Sequence, residues 1–152
     1  MFYSTIGHYS LVLGLCFSLI LVYFSIKNFQ NSKILNTKIL SFTFLQFFLV
    51  VISFLCLITS FVLSDFSNET VFNNSHTTKP LFYKIAGTWG NHEGSLLLWL
   101  LVLTLFIFIF FLKTKNKMLK YRILILIFQQ IIIIGFFVFL IKTSNPFNYL
   151  YP

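Results

Sequence analysis

Four long apolar runs, separated by shorter polar stretches, dominate the chain. They cover about 6–26, 39–63, 95–112 and 123–141. A helix needs about 20 mainly apolar residues to cross the hydrocarbon core of a bilayer, and interfacial residues can extend the two shorter runs. The runs are continuous rather than alternating, which favours helices over the strands of a membrane barrel. The pattern therefore predicts an all-α polytopic membrane protein with about four transmembrane helices.

The charged residues between these runs are distributed unevenly. The short loops 27–38 and 113–122 are rich in Lys and Arg, whereas the two lysines of the long loop 64–94 are offset by acidic residues. Loops with an excess of basic residues stay on the cytoplasmic or matrix side of a membrane. We therefore expect 1–152 to be a single membrane domain. Its two termini and loop 64–94 are expected on the extracytoplasmic side, which is the intermembrane space in a mitochondrion.

The composition excludes several classes of function. Only 9% of the residues are charged, against roughly 25% in soluble domains. The net charge is +8, but the positive charges lie in short loops between apolar runs, so we interpret them as topology signals and predict no nucleic-acid partner. No charged cluster lies inside a run, which argues against a pump or transporter. The abundance of Phe, Ile, Lys and Asn indicates an A/T-biased genome such as an organelle's.

A few polar side chains interrupt the apolar runs. Cys16 and Cys56 belong to no CxxC motif and are expected to be small buried residues. Gln129 and Gln130 are candidates to hydrogen-bond another helix, of this chain or of a different one. His76, in the polar loop, is expected to be solvated.

The most unusual stretch reads GTWGNHEGSLLLW, at residues 87–99. Asn91 is a favoured helix N-cap, and Glu93 would place its negative charge near the positive end of the helix dipole. Gly94 and Ser95 are small enough to allow a neighbouring helix to approach closely. On one interpretation, then, this stretch is the start of a helix with tryptophans as interfacial anchors.

A second interpretation uses the helical spacing of the same stretch. If the helix begins early enough, Trp89, His92 and Trp99 share a face, which suits contact with a flat, partly apolar ligand or with another helix. Glu93 would then point about 100° away, so it forms no acid–base pair with His92. His8, near the same end of the first run, is a candidate to pair with His92. One histidine is not a metal site, and we assign no catalytic residue and no metal ligand.

The stretch YKIAGTWGNHEGSLLLW at 83–99 resembles the N-terminal region of the CcmF family, the cytochrome c-type biogenesis proteins also called the cytochrome c haem lyase subunit. The likeness extends upstream through SDFSNETVFNNSHTTKPLFYK and resumes at TSNPF, residues 143–147. An early Gly-His-Tyr opens the first apolar run. The resemblance is therefore collinear over essentially the whole chain.

The resemblance implies a place in cytochrome c maturation. CcmF-like proteins are large polytopic membrane proteins with a Trp-rich haem motif. They receive haem from a CcmE-like haem chaperone and, with a CcmH-like protein, attach it to apocytochrome c. Neither the Trp-rich motif nor the family's haem-ligand histidines have a match in these 152 residues. The implied protein is a non-catalytic N-terminal portion of a thioether-forming haem lyase, completed by other polypeptides that carry the Trp-rich motif.

The resemblance also implies where the protein works and which residues matter. The chain is expected to be a multi-pass protein of the mitochondrial inner membrane, in contact with membrane lipid. The alternative location is a bacterial cytoplasmic membrane. Haem would be handled by the assembled complex. The residues assigned to the family motif, as a surface for haem or a partner, are Trp89, Gly90, Asn91, His92, Glu93, Gly94, Ser95 and Trp99.

A different class of function is also compatible with the composition. A small hydrophobic structural subunit of a respiratory-chain complex would have this length, this apolar content and about four helices. The polar motif at 87–99 and the absence of charged clusters from the apolar runs disfavour it.

Overall fold

The computed structural model describes residues 2–27, 34–114 and 118–150, and this part of the chain is helical. In chain order its helices are α1 (Phe2–Lys27), α2 (Ile34–Val62), α3 (Glu69–Asn74), α4 (Leu81–Gly87), α5 (His92–Lys113) and α6 (Leu119–Lys142). The helices α1, α2, α5 and α6 are each long and apolar enough to cross a membrane. The predicted all-α architecture with four helices of membrane-spanning length is confirmed.

The long helices extend beyond most of the ends of the apolar runs from which they were predicted. Helix α2 includes Lys38, and α6 includes Lys120 and Arg122, so the basic loops are shorter than 27–38 and 113–122. Lys and Arg are good helix formers, and a helix satisfies its backbone hydrogen bonds wherever it continues. Hydropathy marks only the apolar part of such a helix.

The polar loop 64–94 contains α3 and α4 and the start of α5. Asn68 is the N-cap of α3, and its side-chain oxygen accepts a hydrogen bond from the Val71 amide at 3.2 Å. Glu69 follows in the first turn, where the helix dipole favours a negative charge. Pro80 precedes α4 and provides the non-helical residue at which that helix begins.

The four long helices form a ring in which α1 and α5 each pack against both α2 and α6. The buried face of α1 recurs every three and four residues and consists mainly of small side chains, which let neighbouring backbones approach closely. The small buried residues of this face are Ser4, Gly7, Ser10, Gly14, Ser18 and Ser25. At Gly14, for example, a Cβ atom would lie 2.7 Å from the Phe137 ring of α6.

A buried amide pair joins helices across the centre of the ring. Gln130 of α6 donates to the side-chain oxygen of Gln46 of α2 at 2.9 Å, and Gln46 donates in return at 3.1 Å. Gln46 Nε2 also lies 2.5 Å from the Ser18 hydroxyl oxygen of α1. Both glutamines are fully buried. The interhelical hydrogen bond for which Gln130 was a candidate therefore exists within this chain, whereas the side chain of Gln129 has no hydrogen-bond partner among the residues that the structure describes.

The two cysteines occupy different environments. Cys56 is buried, as predicted, but Cys16 lies exposed on the outer surface of α1. An outward position costs an apolar side chain little in a membrane protein because lipid is itself apolar. Both cysteines are free.

Arg122 was expected to act as a loop charge, and that expectation is wrong. Its side chain is 1% exposed and donates from Nη2 to the Phe111 carbonyl at 3.0 Å and from Nε to the Thr114 hydroxyl at 2.9 Å. The guanidinium also lies 4.6 Å from the centre of the Phe111 ring. An arginine of α6 thus satisfies carbonyl and hydroxyl groups in the last turn of α5.

Candidate functional site

The sequence motif lies at one end of the bundle, which we call the loop end: the end where α1 and α5 begin and where α2 and α6 terminate. Residues 143–150, which follow α6 and which we call the final segment, cross this end. Ser144 Oγ lies 3.1 Å from His92 Nδ1, and Asn145 Nδ2 lies 3.3 Å from His8 Nδ1. The two histidines therefore contact successive residues of one segment, and these contacts take the place of the candidate pairing of His8 with His92.

Phe147 anchors the same segment in the bundle. Its ring is 2% exposed and lies against Gly7 of α1, so closely that a Cβ atom at position 7 would overlap the ring. The segment turns at Asn145, whose side-chain oxygen accepts a hydrogen bond from the Phe147 amide at 3.0 Å. An Asn side chain that bonds the backbone two residues on is typical of a tight turn. This turn places Phe147 over the start of α1.

Asn68, a residue that sequence analysis did not select, connects three parts of the loop end. Its buried amide nitrogen donates to the Ser4 hydroxyl at 3.1 Å and to the Pro146 carbonyl at 3.0 Å, while its oxygen caps α3. A backbone bridge extends the connection, since the Glu69 amide donates to the Asn148 carbonyl at 2.9 Å. One side chain thereby holds α1, α3 and the final segment together.

Asn91 caps α5, as predicted. Its side-chain oxygen accepts a hydrogen bond from the Gly94 amide at 2.7 Å, and its amide nitrogen donates to the Gly87 carbonyl at 2.9 Å. Glu93 lies in the first turn of α5, also as predicted. The cap therefore both starts α5 and attaches it to the end of α4.

The reason for the small residue at position 94 differs from the one expected. A Cβ atom on Gly94 would overlap the Thr88 carbonyl oxygen, so the close neighbour is the turn that precedes α5 and not another helix. Ser95 donates to the His92 carbonyl at 3.0 Å within the first turn. Gly94 is required by the tight connection between α4 and α5.

The shared face of Trp89, His92 and Trp99 is incomplete. Helix α5 begins at His92, so Trp89 and Gly90 lie in the preceding turn, where both are exposed. His92 is exposed too, and its ring meets that of Phe139 edge to face at 6.2 Å. Trp99, 61% exposed, stays on the outer surface of α5. The motif leaves a polar ring and two indoles accessible, on two different elements.

A carboxylate next to α3 completes the polar part of the loop end. Asp65 accepts hydrogen bonds from the Ser67 hydroxyl at 2.5 Å and from the Ser67 amide at 3.2 Å. Burial acts to raise the pKa of Asp65, but hydrogen bonds, those from Ser67 among them, hold the pKa below its ordinary value. Asp65 therefore remains ionised at neutral pH and holds the turn that leads into α3.

A cleft of about 440 Å³ opens beside the final segment. Its walls include His8 and Tyr9 of α1, Glu69 of α3, and Asn145 and Tyr149 of the final segment. His76 does not line this cleft and is exposed, as expected. Within the described ranges, no three His, Cys, Asp or Glu side chains are grouped so that they could hold a metal ion. The described hydrogen bonds position segments, and none joins an imidazole to a carboxylate.

Comparison with known proteins gives one consistent result. The chain is 40% identical over 146 residues to the cytochrome c-type biogenesis protein ccl1 of Rhodobacter capsulatus, a match that covers 93% of this chain and 22% of that protein. It is 40% identical over 148 residues to the cytochrome c-type biogenesis protein CycK of Rhizobium meliloti, covering 97% and 22%. It is 34% identical over 153 residues to the cytochrome c-type biogenesis protein CcmF of Haemophilus influenzae, covering 98% and 23%.

A solved structure shows the same fold. The chain superposes on a structure of the cytochrome c haem lyase CcmF with a TM-score of 0.88 and 25% sequence identity, over 98% of this chain and 25% of the other. No protein-family model matches the chain. The chain thus spans about a fifth of the length of the curated relatives that it matches.

Proposed function

The chain belongs to the CcmF family of cytochrome c-type biogenesis proteins, and from this premise we propose that it forms the N-terminal portion of a CcmF-like haem lyase. In this proposal it contributes part of the membrane platform on which haem, the substrate, becomes covalently attached to apocytochrome c. The observation that carries the proposal is the match to CcmF-type relatives over nearly all of this chain, at 34–40% identity.

In this proposal the chain stabilises the loop end and keeps its exposed residues accessible to haem or to a partner. Asn68, His8 and His92 attach the final segment to the bundle, which gives the surface a defined shape. Trp89 remains accessible at the loop end, and Trp99 on the outer surface of α5. Exposed aromatic residues are enriched where proteins contact partners, which supports a role in contacting haem or a polypeptide of the complex.

The remaining portion of the lyase, with the Trp-rich motif, is assigned in this proposal to one or more further polypeptides. The relatives are four to five times as long as the part that matches this chain, so most of a CcmF-like protein lies beyond the matched residues. A CcmE-like haem chaperone, a CcmH-like protein and apocytochrome c complete the proposed set of partners.

The proposed location is the mitochondrial inner membrane, with the loop end and both termini on the intermembrane-space side. Support comes from the A/T-biased composition and from the lysines that flank the opposite ends of the helices, an imbalance that persists without Arg122. The matched relatives are bacterial, and a bacterial cytoplasmic membrane is the alternative location.

Deletion of the gene tests the function. We expect covalently bound haem to disappear from the c-type cytochromes, as measured by haem staining of denaturing gels, while complexes without c-type haem still assemble. A strain with normal c-type cytochromes and a defect confined to one respiratory complex would contradict the proposal and favour the structural-subunit alternative.

The separate-polypeptide part of the proposal has its own test. On a denaturing gel, an antibody against loop 64–94 should detect the endogenous protein as a band near 17.8 kDa. Affinity purification should also recover a second polypeptide that carries the Trp-rich motif. A single endogenous band with a mass several times higher would show that these residues belong to one longer continuous protein.

The exposed motif residues give a mutational prediction. His92→Ala and Trp89→Ala should each reduce the yield of holocytochrome c several-fold while the protein still inserts in the membrane, because both side chains are accessible and neither lies in the core. His76→Ala is the matched control, since His76 is an exposed histidine outside the motif. Unchanged yields in both variants would assign the motif to helix capping alone.

A further inference from the structure

An apolar groove between α5 and α6 opens on the outer surface of the bundle and has a volume of about 410 Å³. One wall is Leu96 of α5, and the other consists of Ile132, Gly135, Phe136 and Phe139 of α6. Toward the loop end the groove is lined by Phe139, whose ring contacts that of His92. The groove therefore lies beside the half of α6 that is nearer the loop end, next to the exposed motif.

On α6, a polar side chain lies one turn before this groove. Gln129, Ile132 and Phe136 are spaced by three and four residues, which places them on one face of α6. Gln129 is half-buried near the middle of α6 and, unlike Gln130, has no hydrogen-bond partner within the described part of the chain. Hydrocarbon offers an amide no partner, so an unpaired amide at this depth is costly.

The glycine in the groove packs closely against nothing in the part of the chain that the structure describes. A Cβ atom at Gly135 would meet nothing within 4 Å, in contrast to Gly7 and Gly14, where aromatic rings fill the space. Glycine weakens a helix relative to alanine, and in membrane helices small residues are typical of positions where another helix approaches closely. Gly135 thus marks a place where a second backbone can approach α6.

We propose that the groove binds one transmembrane helix from the remaining portion of the CcmF-like lyase, with a polar side chain of that helix hydrogen-bonded to Gln129 and its backbone close to Gly135. This inference rests on the proposed function. The choice of occupant follows from the relatives, because this chain superposes on only 25% of the solved CcmF chain, so most of a CcmF-like protein is available to pack against this portion. A lipid tail would leave the Gln129 amide unpaired.

Site-specific photo-crosslinking tests the location of the contact. A benzophenone-bearing amino acid replaces Ile132, in the groove, or Ile131, its matched control at the same depth and about 100° around the helix; both isoleucines are at least half exposed. With the polypeptide of the Trp-rich motif co-expressed, the probe at position 132 should crosslink to it and the probe at 131 should not. Crosslinking to a second copy of this chain, or to lipid only, would overturn the proposal.

The hydrogen bond has a separate test with adjacent residues. Gln129→Leu should lower the amount of co-purified partner by about three- to tenfold, as expected for the loss of an interhelical hydrogen bond in a membrane, and leave the thermal unfolding of this chain unchanged. Gln130→Leu, by contrast, should destabilise the chain itself, because the buried side-chain oxygen of Gln46 then loses the amide that donates to it. Equal recovery of the partner with Gln129→Leu and with the unmodified chain would contradict the proposal.

Affinity purification with the unmodified chain separates a failure of the groove assignment from a failure of the proposed function. If it recovers the polypeptide with the Trp-rich motif but the probe at position 132 does not crosslink to it, the groove assignment is wrong and the proposed function stands. If it recovers no such polypeptide, the separate-polypeptide function fails, and the groove assignment fails with it.

Discussion

Gly94 illustrates how one residue controls the geometry of the motif. Asn91 caps α5 by accepting from the Gly94 amide, and this cap brings the first turn of α5 against the carbonyl of Thr88. The Cβ atom that any other residue carries at position 94 would overlap that carbonyl oxygen, which belongs to the backbone and cannot rotate away. The N-cap and the glycine are therefore two parts of one tight connection.

We predict that Gly94→Ala destabilises the protein by about 2–3 kcal/mol, in the range for overpacking of a well-packed site. Thermal unfolding of the purified protein in detergent measures the change. Gly90→Ala, in the same turn, is the control, because its Cβ atom would lie 3.4 Å from the nearest atom, the Ala86 carbonyl oxygen. A similar unfolding temperature for Gly94→Ala and the unmodified protein would show that the turn relaxes without cost.

The residues of the motif differ in how much could be predicted about them. The capping by Asn91 depends on atoms within four positions along the chain, and it was predicted correctly. The partners of His8 and His92 are Asn145 and Ser144, separated from them by 137 and 52 positions. Local patterns carry no information about contacts of that range, so the proposed histidine pair was wrong.

At the level of helices, the amide pair of Gln46 and Gln130 defines how the bundle is assembled. The hydrogen bonds join α2 and α6, which both pack against α1 and α5. Buried amides are stable only when both partners are correctly aligned. The pair therefore specifies the relative rotation and register of the two helices. The apolar residues around it bury surface area, but their contacts are not directional.

We predict that Gln130→Leu costs about 1–3 kcal/mol of stability because Gln46 then loses its reciprocal partner in the core. The double variant Gln46→Leu/Gln130→Leu should recover much of this loss, since it leaves neither amide unpaired. Unfolding in detergent of the two single variants and the double variant forms a double-mutant cycle. Additive losses would mean that the two side chains do not interact.

The buried face of α1 contains a signal that length and hydropathy do not use. Serines and glycines recur at positions 4, 7, 14, 18 and 25, with leucines at 11 and 21. Spacings of three and four place all of them on one side of a helix, and small residues mark the side that packs against other helices. The packing face of α1 could therefore have been predicted, in contrast to the identity of the helices that cover it.

At the scale of the whole molecule, the final segment closes the loop end. It contacts α1 through Phe147, α3 through Pro146 and α5 through Ser144. Helix α6 itself packs against α1 and α5, so the segment reinforces these contacts and adds a connection to α3. The resemblance at TSNPF identified the segment but not this function.

We predict that Phe147→Ala destabilises the protein by about 3 kcal/mol, since it empties the space over Gly7, and makes loop 64–94 more susceptible to limited proteolysis. Mass spectrometry of the fragments measures the cleavage rate. Phe128→Ala is the control, because Phe128 is 63% exposed on α6. Equal cleavage of loop 64–94 in Phe147→Ala and Phe128→Ala would contradict a bracing role for the final segment.

The sequence alone determined the four spanning helices, the N-cap at Asn91 and the family, because each depends on hydropathy, on neighbouring residues or on collinear residue identity. Only the tertiary structure decided that Arg122 is buried, that Gln130 and Gln129 have different environments, and that His8 and His92 hold one segment. The physical reason is range. A lipid environment makes every face of a helix apolar, so hydropathy does not reveal which face packs, and the partners of each face depend on contacts between distant residues.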